Sequence, residues 1–141
     1  MLSLKGDKMQ ISSQTEYALR ALAALALAEH EKPLSISEIC KTQKLPPKYI
    51  EQIFRKLKKT GLVISIHGSK GGYKLGKDIS EISLRDIMAS LGENFGSSVC
   101  KSNTNYCIGL PCIYESLWDE IGKHLNSYFD SIKLDYIISK Y

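Results

Sequence analysis

The sequence contains no hydrophobic run long enough to cross a membrane. Its longest uninterrupted apolar stretch, Ala21 to Ala28, is far shorter than the roughly 20 residues that a transmembrane helix needs. The stretch from Met1 to Lys8 carries two lysines but no continuous apolar core, which does not fit a secretory signal. These absences predict a cytoplasmic protein that has no membrane partner.

The motifs that most enzyme classes require are missing as well. No set of Ser, His and Asp, no carboxylate pair and no phosphate-binding loop stands out. Gly71 and Gly72 are not followed by the lysine and serine of a P-loop, so they suit hairpin geometry better than a nucleotide site. The sequence therefore predicts that the protein is not an enzyme.

Acidic residues are almost absent between Lys41 and Lys77. This window holds ten lysines and arginines against the single acid Glu51, a local net charge of +9 in a chain whose net charge is +4. A charge split of that size predicts a polyanion as the partner. Phosphate contacts by basic side chains would supply most of the affinity. The candidates for this general role are Lys56, Lys58, Lys59, Lys70 and Lys74.

Periodicity and capping signals in the same region predict a winged helix-turn-helix. A first helix begins at Ser13–Glu16 and a second at Ser35–Glu38, because both segments have the spacing of a capping box. A third helix begins at the Pro46–Pro47 pair and ends at Gly61. The β-branched run Leu62–Ile66 and the glycine-rich turn after it predict a hairpin. In a winged fold the second helix of the pair enters the major groove.

A long helix is predicted from Ile113, after a shorter one that begins at Ser83–Asp86 and ends near Gly92. Its apolar positions keep close to a 3.5-residue spacing, which favours burial against a second copy of the chain. They are Leu117, Trp118, Ile121, Leu125, Tyr128, Phe129 and Ile132. The fold class predicted is mainly α with a small β-hairpin wing, and a long C-terminal dimerisation helix follows the DNA-binding domain. The divisions are an extension at 1–8, the winged helix-turn-helix at 9–92, a cysteine-rich loop at 93–112, and the dimerisation helix and tail at 113–141.

Polar side chains on the third helix and at the hairpin turn are the predicted contacts to a double-stranded DNA operator. Gln52 can pair with adenine, and Arg55 or Lys48 with guanine. Glu51 can accept a hydrogen bond from cytosine and otherwise repels phosphate, so it would filter out wrong sites. The full set is Lys48, Tyr49, Glu51, Gln52, Arg55, Lys56, Lys59, His67, Ser69 and Lys70.

Three of the four cysteines form the pattern C-x6-C-x4-C in a segment without periodicity. Thiolates at Cys100, Cys107 and Cys112 could hold a soft metal or an iron–sulfur cluster and so order this loop. The spacing matches neither a zinc finger nor a ferredoxin. A redox thiol switch or bystander cysteines remain alternatives. Cys40 lies on the apolar side of the second helix and is predicted to be an inert core residue.

In combination these segments resemble the IscR and NsrR regulators. The matching stretches are Ile11–Arg20, Tyr49–Leu57, Gly61–Val63 and the wing motif Gly68–Leu75, together with a three-cysteine loop before a long helix. The similarity runs from about Met9 to Ile138. It implies a homodimeric winged-helix repressor or activator that holds a 2Fe–2S or 4Fe–4S cluster on the three cysteines. It also implies that Glu51 tunes the choice of DNA sequence.

The chain departs from that family pattern at three positions. Glu115 stands where IscR has a histidine ligand, and Glu16 stands where NsrR can use an aspartate contributed by the other subunit. His67 replaces the wing arginine that IscR-type proteins insert into the minor groove. The fourth cluster ligand is therefore open between Glu16 from the partner subunit, Glu115, and solvent or a small molecule.

Three functions are compatible with these features. The first is a dimeric regulator whose operator binding is controlled by an iron–sulfur cluster that senses cluster supply, nitric oxide, iron or redox state. The second keeps the DNA binding but uses the cysteines as a disulfide or persulfide switch without a cluster. The third is a redox carrier or cluster-transfer protein that docks acidic partners through its basic face. Salt-dependent binding of duplex DNA distinguishes the third from the other two.

Overall fold

The computed structural model describes residues 11–28, 32–95, 109 and 112–140. Within these ranges the chain forms six helices and one antiparallel two-stranded sheet. The elements in chain order are α1 (Ser13–Ala26), α2 (Ile36–Gln43), α3 (Pro47–Lys59), β1 (Val63–Ile66), β2 (Gly72–Leu75), α4 (Leu84–Ser90), α5 (Ile113–Ser131) and α6 (Leu134–Ile138). The mainly helical fold with a hairpin wing is therefore confirmed.

Side-chain caps begin two of these helices as the sequence predicts. The Ser35 hydroxyl accepts from the backbone N–H of Glu38 at 3.2 Å, and the Glu38 carboxylate accepts from the backbone N–H of Ser35 at 2.7 Å. The carboxylate also accepts from the Ser35 hydroxyl at 2.8 Å, and the two hydrogen bonds that it accepts favour the ionised acid and hold the pKa of Glu38 below its usual range. Ser83 and Asp86 form the same reciprocal box at α4, and Pro47 occupies the first turn of α3.

The predicted capping box at Ser13–Glu16 is wrong. Ser12 is the N-cap of α1, and its hydroxyl accepts from the backbone N–H of Thr15 at 3.2 Å. Ser13 is the first helical residue, and Glu16 lies exposed in the first turn. Ser12 and Ser13 carry the same side chain, so the sequence alone does not tell which of them caps the helix. Ser12 takes the cap because its backbone is extended, as a capping residue requires.

The connection between α2 and α3 is as tight as a helix-turn-helix needs. Lys44 adopts a left-handed conformation with φ of 52° and ends α2. Leu45 is buried, and its backbone N–H donates to the carbonyl of Cys40 at 3.0 Å. The Arg20 guanidinium of α1 donates to the carbonyl of Gln43. Arg20 therefore satisfies one of the last carbonyls of α2 and fixes α2 against α1.

The hairpin packs against the helices through a third extended segment. Val63 pairs with Leu75 at one end of the ladder and Ile66 with Gly72 at the other. Leu34 adds a bridge to Tyr73, with backbone hydrogen bonds of 2.8 and 3.1 Å. A Cβ on Gly72 would lie 2.5 Å from the carbonyl oxygen of Leu34. This close approach explains why glycine is required there.

The core joins α1, α2, α3 and the hairpin, and it includes part of the C-terminal region. Phe54 is fully buried and contacts the Tyr73 ring edge-on at a centroid distance of 4.9 Å. Leu134 of α6 is also fully buried in this core. Backbone hydrogen bonds of 2.8 Å join Leu134 to Ile82 and Leu84 to Ile132. The end of the C-terminal region is thus packed onto the core that α1, α2, α3 and the hairpin form.

One part of the apolar face of α5 is buried against α4, and the other part is exposed. Phe129 is buried in its own subunit with Leu84 and Met88 of α4, and Leu125 and Ile132 pack against the same cluster. The prediction that Phe129 belongs to a stripe reserved for a second copy is therefore wrong, because α4 covers it. The large apolar and aromatic side chains of α5 that remain exposed are Tyr114, Leu117, Trp118, Ile121 and Tyr128. In the part of the chain that the structure describes, no helix is both long and apolar enough to cross a bilayer.

Candidate nucleic-acid interface and cysteine segment

Helix α3 presents a continuous polar face opposite its buried side. Ile50, Ile53, Phe54 and Leu57 face the core, since each is fully or almost fully buried. The opposite side chains are all exposed: Lys48, Glu51, Gln52, Arg55, Lys56, Lys58 and Lys59. The side chains predicted to read or hold DNA on this helix are therefore accessible along one face, apart from Tyr49.

Tyr49 has a structural contact that the sequence does not predict. Its side chain is half-buried, and its ring meets Tyr17 of α1 edge-on at a centroid distance of 5.6 Å. Such aromatic pairs fix the packing of neighbouring elements. Tyr49 therefore helps to hold the start of α3 against α1, and its direct contact with DNA stays a prediction.

The hairpin turn carries the other predicted contacts. His67, Ser69 and Lys70 lie between β1 and β2, and all three are exposed. The Lys58 ammonium donates to the Ser65 hydroxyl of β1 at 2.8 Å, which ties α3 to the hairpin. The basic charges of helix and wing therefore belong to two elements that contact each other, which suits phosphate contacts along one duplex.

Cys40 behaves as the predicted core residue. Its side chain is 6% exposed and belongs to the main core. Burial raises the pKa of the Cys40 thiol, and the carboxylate of Glu51 raises it further. Because the reactive form of cysteine is the thiolate, this environment keeps Cys40 unreactive.

Cys112 is the member of the predicted ligand set that the structure describes. It is the N-cap of α5, and its side chain is half-exposed and makes no capping hydrogen bond. Cys100 and Cys107 lie outside the described residues, and no cluster of three candidate ligands occurs within those ranges. A thiol at the N-terminus of a helix suits a thiolate ligand, because the helix dipole favours negative charge there.

The two candidate carboxylates occupy different helices. Glu115 is half-exposed in the first turn of α5, three residues after Cys112, so the two side chains can share one helix face. Glu16 is exposed in the first turn of α1. Either carboxylate could supply the one oxygen ligand of a cluster that is otherwise held by three thiolates. The choice between Glu16 of the partner subunit and Glu115 stays open.

The cysteine segment is the stretch 93–112 that the sequence predicts as a cysteine-rich loop, and its first residues contact two helices in a way that the sequence does not predict. The Glu93 carboxylate accepts from the hydroxyls of Ser12 and Thr15 at the N-terminus of α1. The carbonyl of Phe95 accepts from the amide of Asn126 at 3.1 Å. No local signal marks Glu93, since its partners lie about eighty residues earlier in the chain.

A family model described as "Rrf2: Iron-dependent Transcriptional regulator" matches residues 11–140. The chain belongs to the Rrf2 family. A putative HTH-type transcriptional regulator of Haemophilus influenzae is 33% identical, with 94% of this chain and 88% of the relative covered. The transcriptional regulator IscR of Photorhabdus laumondii is 31% identical over 93% of this chain and 80% of its own length.

Solved structures of two regulators have the same fold as this Rrf2 protein. The global cysteine regulator CymR of B. subtilis is similar with a TM-score of 0.76 and 28% identity, covering 95% of this chain and 99% of CymR. The IscR of T. potens is similar with a TM-score of 0.73 and 27% identity, covering 94% of this chain and 88% of that protein. These matches confirm the winged-helix architecture. As a member of the Rrf2 family the protein is a transcription regulator and not an enzyme, as the sequence predicts.

Proposed function

We propose that this Rrf2 protein is a homodimeric regulator whose binding to a DNA operator is controlled by an iron–sulfur cluster on Cys100, Cys107 and Cys112. The observation that carries the DNA part is the exposed polar face of α3 beside the basic hairpin. Helix α3 would enter the major groove, and the hairpin would contact the neighbouring backbone or minor groove.

The cluster part rests on the cysteine pattern, on the environment of Cys112 and on the IscR relatives. A bound cluster would supply a centre that responds to oxidants, nitric oxide or iron supply. The residues of the chain would hold it through three thiolates and one further ligand, for which Glu115 or the partner's Glu16 is the protein candidate. The protein would work in the cytoplasm.

Dimer formation is supported by the side of α5 that α4 leaves uncovered. Trp118 is 47% exposed and Tyr128 is 63% exposed, although both are large and apolar in character. Leu117 and Ile121 are exposed on the same helix. Their spacing places these four side chains on one side of the helix, and exposed apolar side chains grouped in this way are typical of an interaction site. A second copy of the chain provides a matching surface about a twofold axis.

A cluster-free thiol switch is the second candidate function. The observation in its favour is the likeness to the structure described as the oxidized form of Staphylococcus aureus CymR, with a TM-score of 0.67 and 30% identity. In this alternative the same DNA-binding scaffold responds when the cysteines form a disulfide or persulfide.

Anaerobic purification followed by an absorption spectrum and by iron and sulfide assays separates the two candidates. Brown protein with matched iron and sulfide is the expected result, and the iron count per dimer distinguishes a 2Fe–2S from a 4Fe–4S cluster. Protein that stays colourless after reconstitution, and that contains no zinc, would instead favour the thiol switch. In either case binding to duplex DNA is expected to weaken steeply with salt.

His67 is expected to contact the duplex from the hairpin turn. An imidazole N–H can donate to a phosphate or to a base edge, so His67→Ala should weaken operator binding about three- to tenfold. The measurement is fluorescence anisotropy with a labelled operator at fixed ionic strength. His124→Ala, which changes an exposed histidine of α5, should leave operator affinity unchanged. Wild-type affinity in His67→Ala would contradict the role of His67.

A further inference from the structure

We propose that Glu93 is a positioning residue that transmits the state of the cysteine segment to the recognition helix α3 through the first turn of α1. This inference rests on the proposed function, because it concerns how a change at the cysteines reaches the DNA-binding face. Glu93 stands at the beginning of the predicted cysteine-rich region. Its contacts are with the DNA-binding domain.

The first link is a carboxylate held at the N-terminus of α1. Glu93 accepts from the Thr15 hydroxyl at 2.9 Å and also from the hydroxyl of the N-cap Ser12. Thr15 is 0% exposed, so its hydroxyl has to find a partner within the protein, and Glu93 provides it. The positive end of the helix dipole favours the carboxylate at this place. The start of the cysteine segment and the start of α1 are therefore joined.

The second link runs from the same end of α1 to α3. The Lys56 ammonium donates to the side-chain carbonyl of Gln14 at 3.0 Å. One turn further along α1, Tyr17 packs edge-on against Tyr49. Lys56 and Tyr49 are both predicted DNA contacts. A shift of the first turn of α1 would therefore change how α3 presents these side chains to a duplex.

A second route from the cysteine segment reaches α3 at a different place. The Phe95 ring packs against Phe129 of α5 at a centroid distance of 5.2 Å, and Phe129 packs against α4. From α4 the Ser90 hydroxyl is hydrogen-bonded to Thr60 at 2.8 Å, just after the C-terminus of α3. This route ends away from the base-reading positions. The route through Glu93 ends on Lys56 and beside Tyr49, so we assign the coupling to Glu93.

Substitutions at Thr15 test this assignment with little change of shape. Thr15→Val removes the hydroxyl that Glu93 accepts from, and Thr15→Ser retains it. Glu93→Gln removes the charge, and Ser90→Ala removes a hydroxyl of the other route. For each variant we would measure operator Kd in protein reconstituted with iron and sulfide and in reduced, metal-free protein. The measured quantity is the ratio of the two Kd values.

Whether the wild-type ratio lies above or below one, it is expected to move at least threefold toward one in Thr15→Val and Glu93→Gln. It is expected to keep its wild-type value in Thr15→Ser and Ser90→Ala. Iron and sulfide content should be unchanged in all four, because none of these residues is a proposed ligand. In the metal-free protein, hydrogen exchange in the first turn of α1 and in α3 should be faster in Thr15→Val than in Thr15→Ser. A merely structural role would alter melting temperature and leave the Kd ratio unchanged.

Two results would overturn the inference, and they differ in what else they overturn. A wild-type ratio of one would refute control by the cysteine segment, and with it both the proposed function and the role of Glu93. A wild-type ratio different from one that survives in Thr15→Val and Glu93→Gln would leave the proposed function intact. In that case Glu93 would not carry the coupling. A Kd ratio close to one in Ser90→Ala would then assign the coupling to the route through α4.

Discussion

Replacing Cys112 with alanine is expected to abolish loading of the proposed iron–sulfur cluster while leaving the proposed dimer intact. Cys112 offers a half-exposed thiol at the N-cap of α5. Loss of a residue that merely orients a metal ligand typically costs 10- to 100-fold in metal affinity, so loss of the ligand itself should lower iron content at least about tenfold. The measurement is iron and sulfide per subunit after anaerobic reconstitution, with size-exclusion chromatography and light scattering for the dimer.

The matched control for this experiment is Cys40→Ala. It makes the same chemical change at a thiol that is buried in the core and whose pKa is raised by burial. Cys40→Ala should retain full iron content, and Cys100→Ala and Cys107→Ala should behave like Cys112→Ala. Full iron in the Cys112→Ala protein would show that Cys112 is not a ligand. Loss of iron in Cys40→Ala alone would place the cluster elsewhere.

The elements of the fold could be predicted where the signal is local. The capping box at Ser35–Glu38, Pro47 at the start of α3 and the left-handed Gly61 after its end, with φ of 75°, each depend on neighbours in sequence. The first cap was predicted one residue too late. Ser12 and Ser13 carry the same side chain, and only the backbone conformation distinguishes them.

Long-range packing could not be predicted from periodicity. The spacing on α5 indicates an apolar face but does not tell which surface covers it. Phe129 turns toward α4 within the subunit, while Trp118 and Tyr128 stay exposed. Leu134, assigned by sequence to a dimerisation tail, lies in the main core because backbone hydrogen bonds join α6 to Ile82 and neighbouring residues.

For the candidate site, too, the features that depend on local spacing could be predicted and the contacts between distant segments could not. The exposed face of α3 follows from amphipathic spacing, because a helix that buries Ile50, Ile53 and Leu57 on one side presents the opposite side to solvent. Contacts between distant segments give no such signal. Glu93 stands in a region rich in Gly, Ser and Asn, and only the folded chain brings it to Thr15.

Replacing Arg55 with alanine is expected to weaken operator binding about 10- to 100-fold and to relax sequence preference at one base pair. A bidentate contact between arginine and guanine contributes about 1–3 kcal/mol of discrimination, and Arg55 lies exposed on the polar face of α3. The operator would be selected from a random duplex library with the wild-type protein. Affinity would then be measured for this operator, for single-base variants of it and for unrelated duplex DNA.

Arg85→Ala is the matched control, because it removes the same side chain from an exposed position on α4. It should leave operator affinity unchanged. Lys59→Ala should behave differently from both. A phosphate contact carries no sequence information, so its loss should weaken binding to all duplexes alike and lower the slope of log affinity against log salt by about one. Arg55→Ala that weakened all duplexes equally would make Arg55 a phosphate contact. Full affinity and unchanged preference in Arg55→Ala would contradict the assignment of Arg55 as a DNA contact, and would leave Lys48 as the candidate on α3 for a contact with guanine.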